Sequence, residues 1–265
     1  MARKLFCEIN PLTYAISVRK MRLSRHFKNI KRKRGFASSK SQELLPVVAC
    51  RHKSLIIRGT EVVGREVQEG KAKNLAIAAP QISGILIKPG ETFSFWHLLG
   101  AITRRKGYVE GLVLNKGALS TTVGGGLCQF TNLIHWMVLH SPLDVVERHS
   151  HDDVDIYPDA SAVPFGLGTS IMYNYLDYRF RNNTKCTFQL IMSVDETHLL
   201  GELRTCRIQK YSYNIVETDS QFVREGENIY RQNTVVRRVI NNDTDAFESE
   251  EIIQKSHAKV LYQME

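Results

Sequence analysis

Apolar and polar positions alternate along this chain in two rhythms, helical in the front half and strand-like behind it. From Glu66 to Ile82 the period is helical, with Val67, Leu75, Ile77, Ala78 and Ile82 on or near one face and Gly84 closing the segment. Ile85–Ile87 then reads as a short strand, Pro89-Gly90 as a turn, and Thr92–Trp96 as a second strand rich in β-formers. Gly107 to Leu114 predicts a further strand bent at its glycines. Phe130 to Leu139 is almost wholly apolar and predicts a buried helix, which Ser141-Pro142 stops. A strand begins at Asp144, and a dense polar cluster, Glu147 to Asp153, follows it.

From Leu176 onward the alternation has period two. Tyr178 and Phe180 alternate, Asn182-Asn183 offers a turn, and Phe188, Leu190, Met192 and Val194 alternate again before Leu199–Ile208 returns. Residues 210–265 predict three short strands, one spanning Thr234 to Ile240. The fold class is therefore α+β: a helical front half, with its buried helix after a Gly-rich turn, packed on a mostly antiparallel sheet. Three regions follow: a basic arm over 1–40, a domain over 41–205 with its motifs in 70–195, and a β-rich extension over 206–265.

Charge changes the picture at one end only. Residues 1–40 hold twelve Lys/Arg against Glu8, or +11, so a total of +9 leaves −2 for the rest. The arm reads as solvated and partly helical, and its basic runs suit an anionic membrane surface. Without a DNA- or RNA-binding motif behind the arm, nucleic acid is not an expected partner. Apolar runs are too short to cross a bilayer, and none of signal-peptide length precedes Gly35, so the expectation is a cytoplasmic chain. Five scattered cysteines (7, 50, 128, 186 and 206) form neither a disulfide framework nor a zinc pattern, which fits a reducing compartment.

One segment is not ordinary punctuation. Thr121-Thr122-Val123-Gly124-Gly125-Gly126-Leu127-Cys128-Gln129 sets three glycines before the start of the apolar helix. Together with Pro89-Gly90-Glu91-Thr92-Phe93-Ser94-Phe95, Gly107-Tyr108, Glu147-Arg148-His149-Ser150-His151 and Asp177 to Asn182, it resembles the VanW family, the motifs standing in that family's order over roughly residues 70–195. The resemblance implies a role in glycopeptide resistance and peptidoglycan metabolism. Some longer, exported proteins with this domain are linked to L,D-transpeptidase-like cross-linking through the Gly-rich-loop cysteine. The chain departs from the pattern at Gly168-Thr169-Ser170, where many members carry Asp-Ala-Thr.

The residues themselves suggest the same chemistry. A cysteine at a helix N-terminus meets unpaired N–H groups and the positive end of the helix dipole, which favour its thiolate. Gly125, Gly126 and Gln129 are candidates to hold an oxyanion through N–H groups. A thiol nucleophile also needs an imidazole to pass a proton to the leaving amine. His151 or His149 would supply it, with Asp152, Asp153 or Asp155 orienting the ring. Arg148 is either the ion-pair partner of Glu147 or a fork for a substrate carboxylate, such as a peptidoglycan stem peptide carries. His135 and His140 read as packed residues rather than ligands. No cofactor or metal is expected: a zinc site at His149 and His151 lacks a second close pair. Two functions stand open, a cysteine acyl-transfer enzyme and a non-catalytic module that binds muropeptides.

Overall fold

A computed structural model describes residues 5–32, 35–57, 64–115, 118–150, 154–155 and 163–262. In chain order the elements are α1 (Pro11–Arg32), β1 (Val47–Leu55), α2 (Arg65–Ile82), β2 (Ile85–Ile87), β3 (Thr92–Ser94), α3 (Phe95–Leu99), β4 (Glu110–Asn115) and β5 (Ala118–Val123). They continue with α4 (Cys128–Leu139), β6 (Asp144–Glu147), β7 (Val154–Asp155), β8 (Arg179–Arg181), β9 (Phe188–Val194), β10 (His198–Thr205), β11 (Tyr211–Glu225), β12 (Asn228–Asn241) and β13 (Phe247–Val260). The fold is α+β.

The main sheet runs β1-β10-β9-β2, antiparallel throughout. α2 packs on β9 and α4 on β1 and β10. Gly201 on β10 makes the α4 contact possible, since a Cβ there would lie 2.7 Å from Cε of Met137. A smaller sheet, β3-β8-β6, stacks Phe93 on Phe180 with ring centroids 4.7 Å apart. Leu75, Ile82, Phe130, Ile134, Phe180, Phe188 and Leu203 are fully or almost fully buried in the shared core. The hairpin β4-β5 stands apart as a two-stranded ribbon against α2.

Local chemistry sets the element ends. Pro11 occupies the first turn of α1, and Asn10 and Thr13 exchange side-chain to backbone bonds of 2.9 and 3.1 Å, a reciprocal cap. Phe95 and Trp96, expected in a strand, are helical. Ser94 Oγ accepts the His97 N–H, and the buried Asp177 carboxylate accepts that of Trp96 at 3.1 Å. Capping groups thus override β propensity. β5 lies where the sequence reading placed only the approach to the glycine turn.

The C-terminal strands are longer than alternation suggested, with 15, 14 and 14 residues. They form a second sheet, β11-β12-β13-β7, in which β7 pairs parallel to β13. A small apolar cluster of Leu139, Leu167 and Val235 joins this sheet to the end of α4.

Candidate active site at the start of helix α4

The glycine turn is a close contact between two backbones. Gly124 and Gly126 adopt positive φ, 79° and 90°. A Cβ on Gly125 would lie 1.9 Å from the Gly111 carbonyl oxygen, and one on Gly126 would lie 2.1 Å from Cγ of Lys71. The turn therefore lies directly on β4 and α2, and only glycine fits. Asn74, wholly buried on α2, ties the layers together: its Nδ2 donates to the carbonyls of Val109 and Gly125, both at 3.0 Å, while its Oδ1 accepts the Val109 N–H at 2.9 Å.

This packing delivers Cys128 to the first position of α4. The residue is half-buried, but burial dominates its ionisation and raises the thiol pKa. Three groups pull the other way: the Lys71 ammonium and the backbone N–H groups of Gln129 and Cys128 itself. Helix-start amides do face the sulfur, as its position in the sequence implies. Their net outcome is reversed, because removing a thiolate from water outweighs a few partial charges. At neutral pH the resting group is a thiol.

The other sequence-designated residues disperse. Gln129 turns its amide to β1, donating to Ser54 Oγ at 2.8 Å and the Leu55 carbonyl at 2.9 Å, so those donors do not face the sulfur. His149 contacts Glu147 through Nε2 at 3.1 Å. That carboxylate also takes a two-pronged contact from Arg25 and the Asp177 N–H. Burial acts to raise the pKa of Glu147, but Arg25, His149 and the Asp177 amide hold it below the ordinary value.

Glu147 and Arg148 do not pair with each other, since successive side chains of an extended segment point to opposite sides. Arg148 instead binds the carbonyls of Gly166 at 2.6 Å and Gly168 at 2.9 Å, and Gln254 of β13 at 3.0 Å. Its fork clamps a loop between the two sheets. Asp155 meets Arg231 at 3.4 Å and the Tyr262 hydroxyl at 3.1 Å. His151, Asp152 and Asp153 lie outside the described residues.

His135 and His140 are packing residues. His135 is buried, its Nδ1 is 3.0 Å from the Tyr178 hydroxyl, and burial followed by the charge of Arg148 pushes its pKa down to about 3. His140 Nδ1 meets the Trp136 carbonyl at 2.9 Å. Among the described residues no three His, Cys, Asp or Glu side chains gather to hold a metal ion.

Two features escaped the sequence reading. Gln68, Lys71 and Asn74 are buried polar residues three apart on α2, forming a stripe toward the glycine turn, with Lys71 Nζ donating to Gln68 Oε1 at 3.2 Å. Their three-residue spacing was visible, and it runs into Leu75, Ala78 and Ile82, but apolar periodicity alone passes over it. The second is the role of Thr169, visible in sequence only as part of a departure from the family pattern. The residue is buried, its Oγ1 lies 2.5 Å from that of Thr131, and its N–H donates to Asn132 at 2.7 Å. Thr131 in turn donates to the Cys128 carbonyl at 3.0 Å. The Gly168-Thr169-Ser170 segment thus braces the first turns of α4.

Comparisons with known proteins match the stretch of chain in which this site lies. The family model described as VanW like protein matches residues 70–204, a span containing most of α2, the glycine turn and α4. The Vancomycin B-type resistance protein VanW of Enterococcus faecalis (strain ATCC 700802 / V583) is 34% identical over 196 residues, covering 74% of this chain and 71% of that protein. The uncharacterized protein YoaR of Bacillus subtilis (strain 168) is 34% identical over 114 residues, 43% of this chain and 36% of that protein. No solved structure matches the chain.

Proposed function

The chain belongs to the VanW family, and from that premise we propose that it serves glycopeptide resistance by acting on peptidoglycan stem peptides, with Cys128 as an acyl-transfer nucleophile. One observation carries the reading: a glycine turn packed against the Lys71 side chain sets Cys128 at the first position of α4. Substrate binding brings an acyl carbonyl to the sulfur, and the thiol gives up its proton to an imidazole of the 149–151 segment as the C–S bond forms. The imidazole returns that proton to the departing amine, leaving a thioester. An acceptor amine then attacks the thioester and regenerates the thiol. Lys71 supplies the positive charge that a buried thiolate lacks, and the Cys128 and Gln129 amides at the helix start receive the developing oxyanion. The Gly125 amide does not, because it donates to the Thr122 carbonyl at 2.9 Å.

The test is acylation of the full chain by a carbapenem, read as a mass adduct, alongside resistance support in cells. Cys128→Ala is expected to abolish both, and retention of both would discard the enzyme reading.

A second reading, a muropeptide-binding module, is favoured by the raised thiol pKa and by the engagement of His149 with Glu147. It predicts that binding survives Cys128→Ser and that no new product forms.

A further inference from the structure

α1 is mounted on the body with its faces reversed. Surface helices ordinarily turn their apolar stripe inward and their charges to water. Here the inward side is held mainly by polar contacts, with Val18 a half-buried apolar residue among them. Arg25 binds Glu147 and the Tyr175 carbonyl (3.0 Å), Asn29 accepts from Arg179 at 2.8 Å, and Asn174 donates to the Arg22 carbonyl at 3.0 Å. Leu12, Ile16, Leu23, Phe27 and Ile30 recur at helical spacing on the opposite side and are 69, 47, 59, 63 and 55% exposed. Leu5, Phe6 and Ile9, just ahead of the helix, are exposed as well.

The charge around this stripe selects its occupant. α1 carries seven Lys/Arg and no acidic residue. At 100° per residue, Arg19 flanks the stripe on one side and Lys20 and Lys31 on the other, all exposed. No helix among the described residues is long and apolar enough to cross a membrane. A stripe of large apolar side chains edged on both sides by cations matches the boundary between lipid tails and anionic headgroups, where the cations reach phosphates while the stripe leaves water.

We propose that α1 docks this protein on the surface of an anionic lipid bilayer, lying in the headgroup plane with Leu12, Ile16, Leu23, Phe27 and Ile30 inserted. Because the inward face stays bound to Glu147, Asn174 and Arg179, docking leaves the body folded and fixes its orientation toward the bilayer. The inference is independent of acyl transfer.

The test is co-sedimentation of the full chain with vesicles of mixed phosphatidylglycerol and phosphatidylcholine, and with vesicles of phosphatidylcholine alone. Binding is expected only to the anionic vesicles and weakens as salt is added. Lys20→Gln with Lys31→Gln lowers affinity by about five-fold per removed charge, and Leu23→Glu with Phe27→Glu abolishes it. All four side chains are exposed, so thermal unfolding of the variants should match that of the parent protein. Equal binding to neutral vesicles, or full binding by the Leu23→Glu/Phe27→Glu variant, would overturn the proposal. So would a dimer in solution that this variant converts to monomer, because a second copy would then be what covers the stripe.

Discussion

Cys128 and Cys186 show how the same side chain is set in opposite directions by its surroundings. Cys128 occupies the helix start that favours thiolate in principle, yet burial raises its pKa above the ordinary value. Cys186 lies just before β9, with no helix behind it. Burial pushes its thiol up too, but the Cys206 side chain, Arg207 and Gln209 outweigh that and lower it, with Arg207 Nε donating to the sulfur at 2.9 Å. Hydrogen bonds from a neighbouring cysteine and a guanidinium together overcome desolvation at Cys186, where backbone amides and a cation acting through space do not at Cys128.

The largest effect should come from the turn that holds Cys128. Gly125→Ala places a methyl 1.9 Å from the Gly111 oxygen. Backbone must move, and a loss of about 3 kcal/mol or more is expected in denaturant unfolding. Any folded fraction should expose Cys128 to alkylation and leave Cys186 as before. A neutral outcome would mean that the backbone contact does not position the thiol.

Next in size is Glu147→Gln, which breaks the contacts with Arg25 and His149 and should cost about 2 kcal/mol. The folded-state pKa of Glu147 is depressed, so its contribution is fully present above the ordinary value of 4.5 and disappears as pH falls through the folded value. Melting temperature followed downward from neutral pH should therefore drop for the parent protein. The variant should start lower and lack that component. Neither thiol should change its titration.

Arg207→Gln removes a hydrogen-bonded cation from Cys186, and alkylation of that residue at neutral pH should slow. Cys128 should be unaffected, and equal slowing at both sites would dissolve the contrast. The smallest effect is Gln129→Ala, which gives up bonds to Ser54 and Leu55 for about 1 kcal/mol in thermal unfolding, with no shift in the Cys128 titration.

Much of the frame was legible because local signals and tertiary context agree in it. The helix ending at Ile82, the strand Ile85–Ile87 and the helix after the glycines stand where periodicity and punctuation place them. Phe95 and Trp96 were misread because their helix is capped by Asp177, eighty-one residues from Trp96. Cys128 and its glycines were visible as a motif. Lys71 was not, since nothing local says that a lysine on the α2 face will lie against Gly126. Arg148 and Gln129 look chemical in sequence, yet their donors serve Gly166, Gly168, Ser54 and Leu55. Hydrogen-bond partners far apart in the chain decide such roles.

The central claim is that Cys128 is a guarded thiol whose ionisation depends on the Lys71 charge. The direct measurement is the pH dependence of iodoacetamide labelling at Cys128, resolved by peptide mass, in the parent protein and in Lys71→Met. The parent midpoint should lie above that of an ordinary cysteine, and Lys71→Met should move it higher still. A parent midpoint below the ordinary value, or one that Lys71→Met leaves in place, would contradict it.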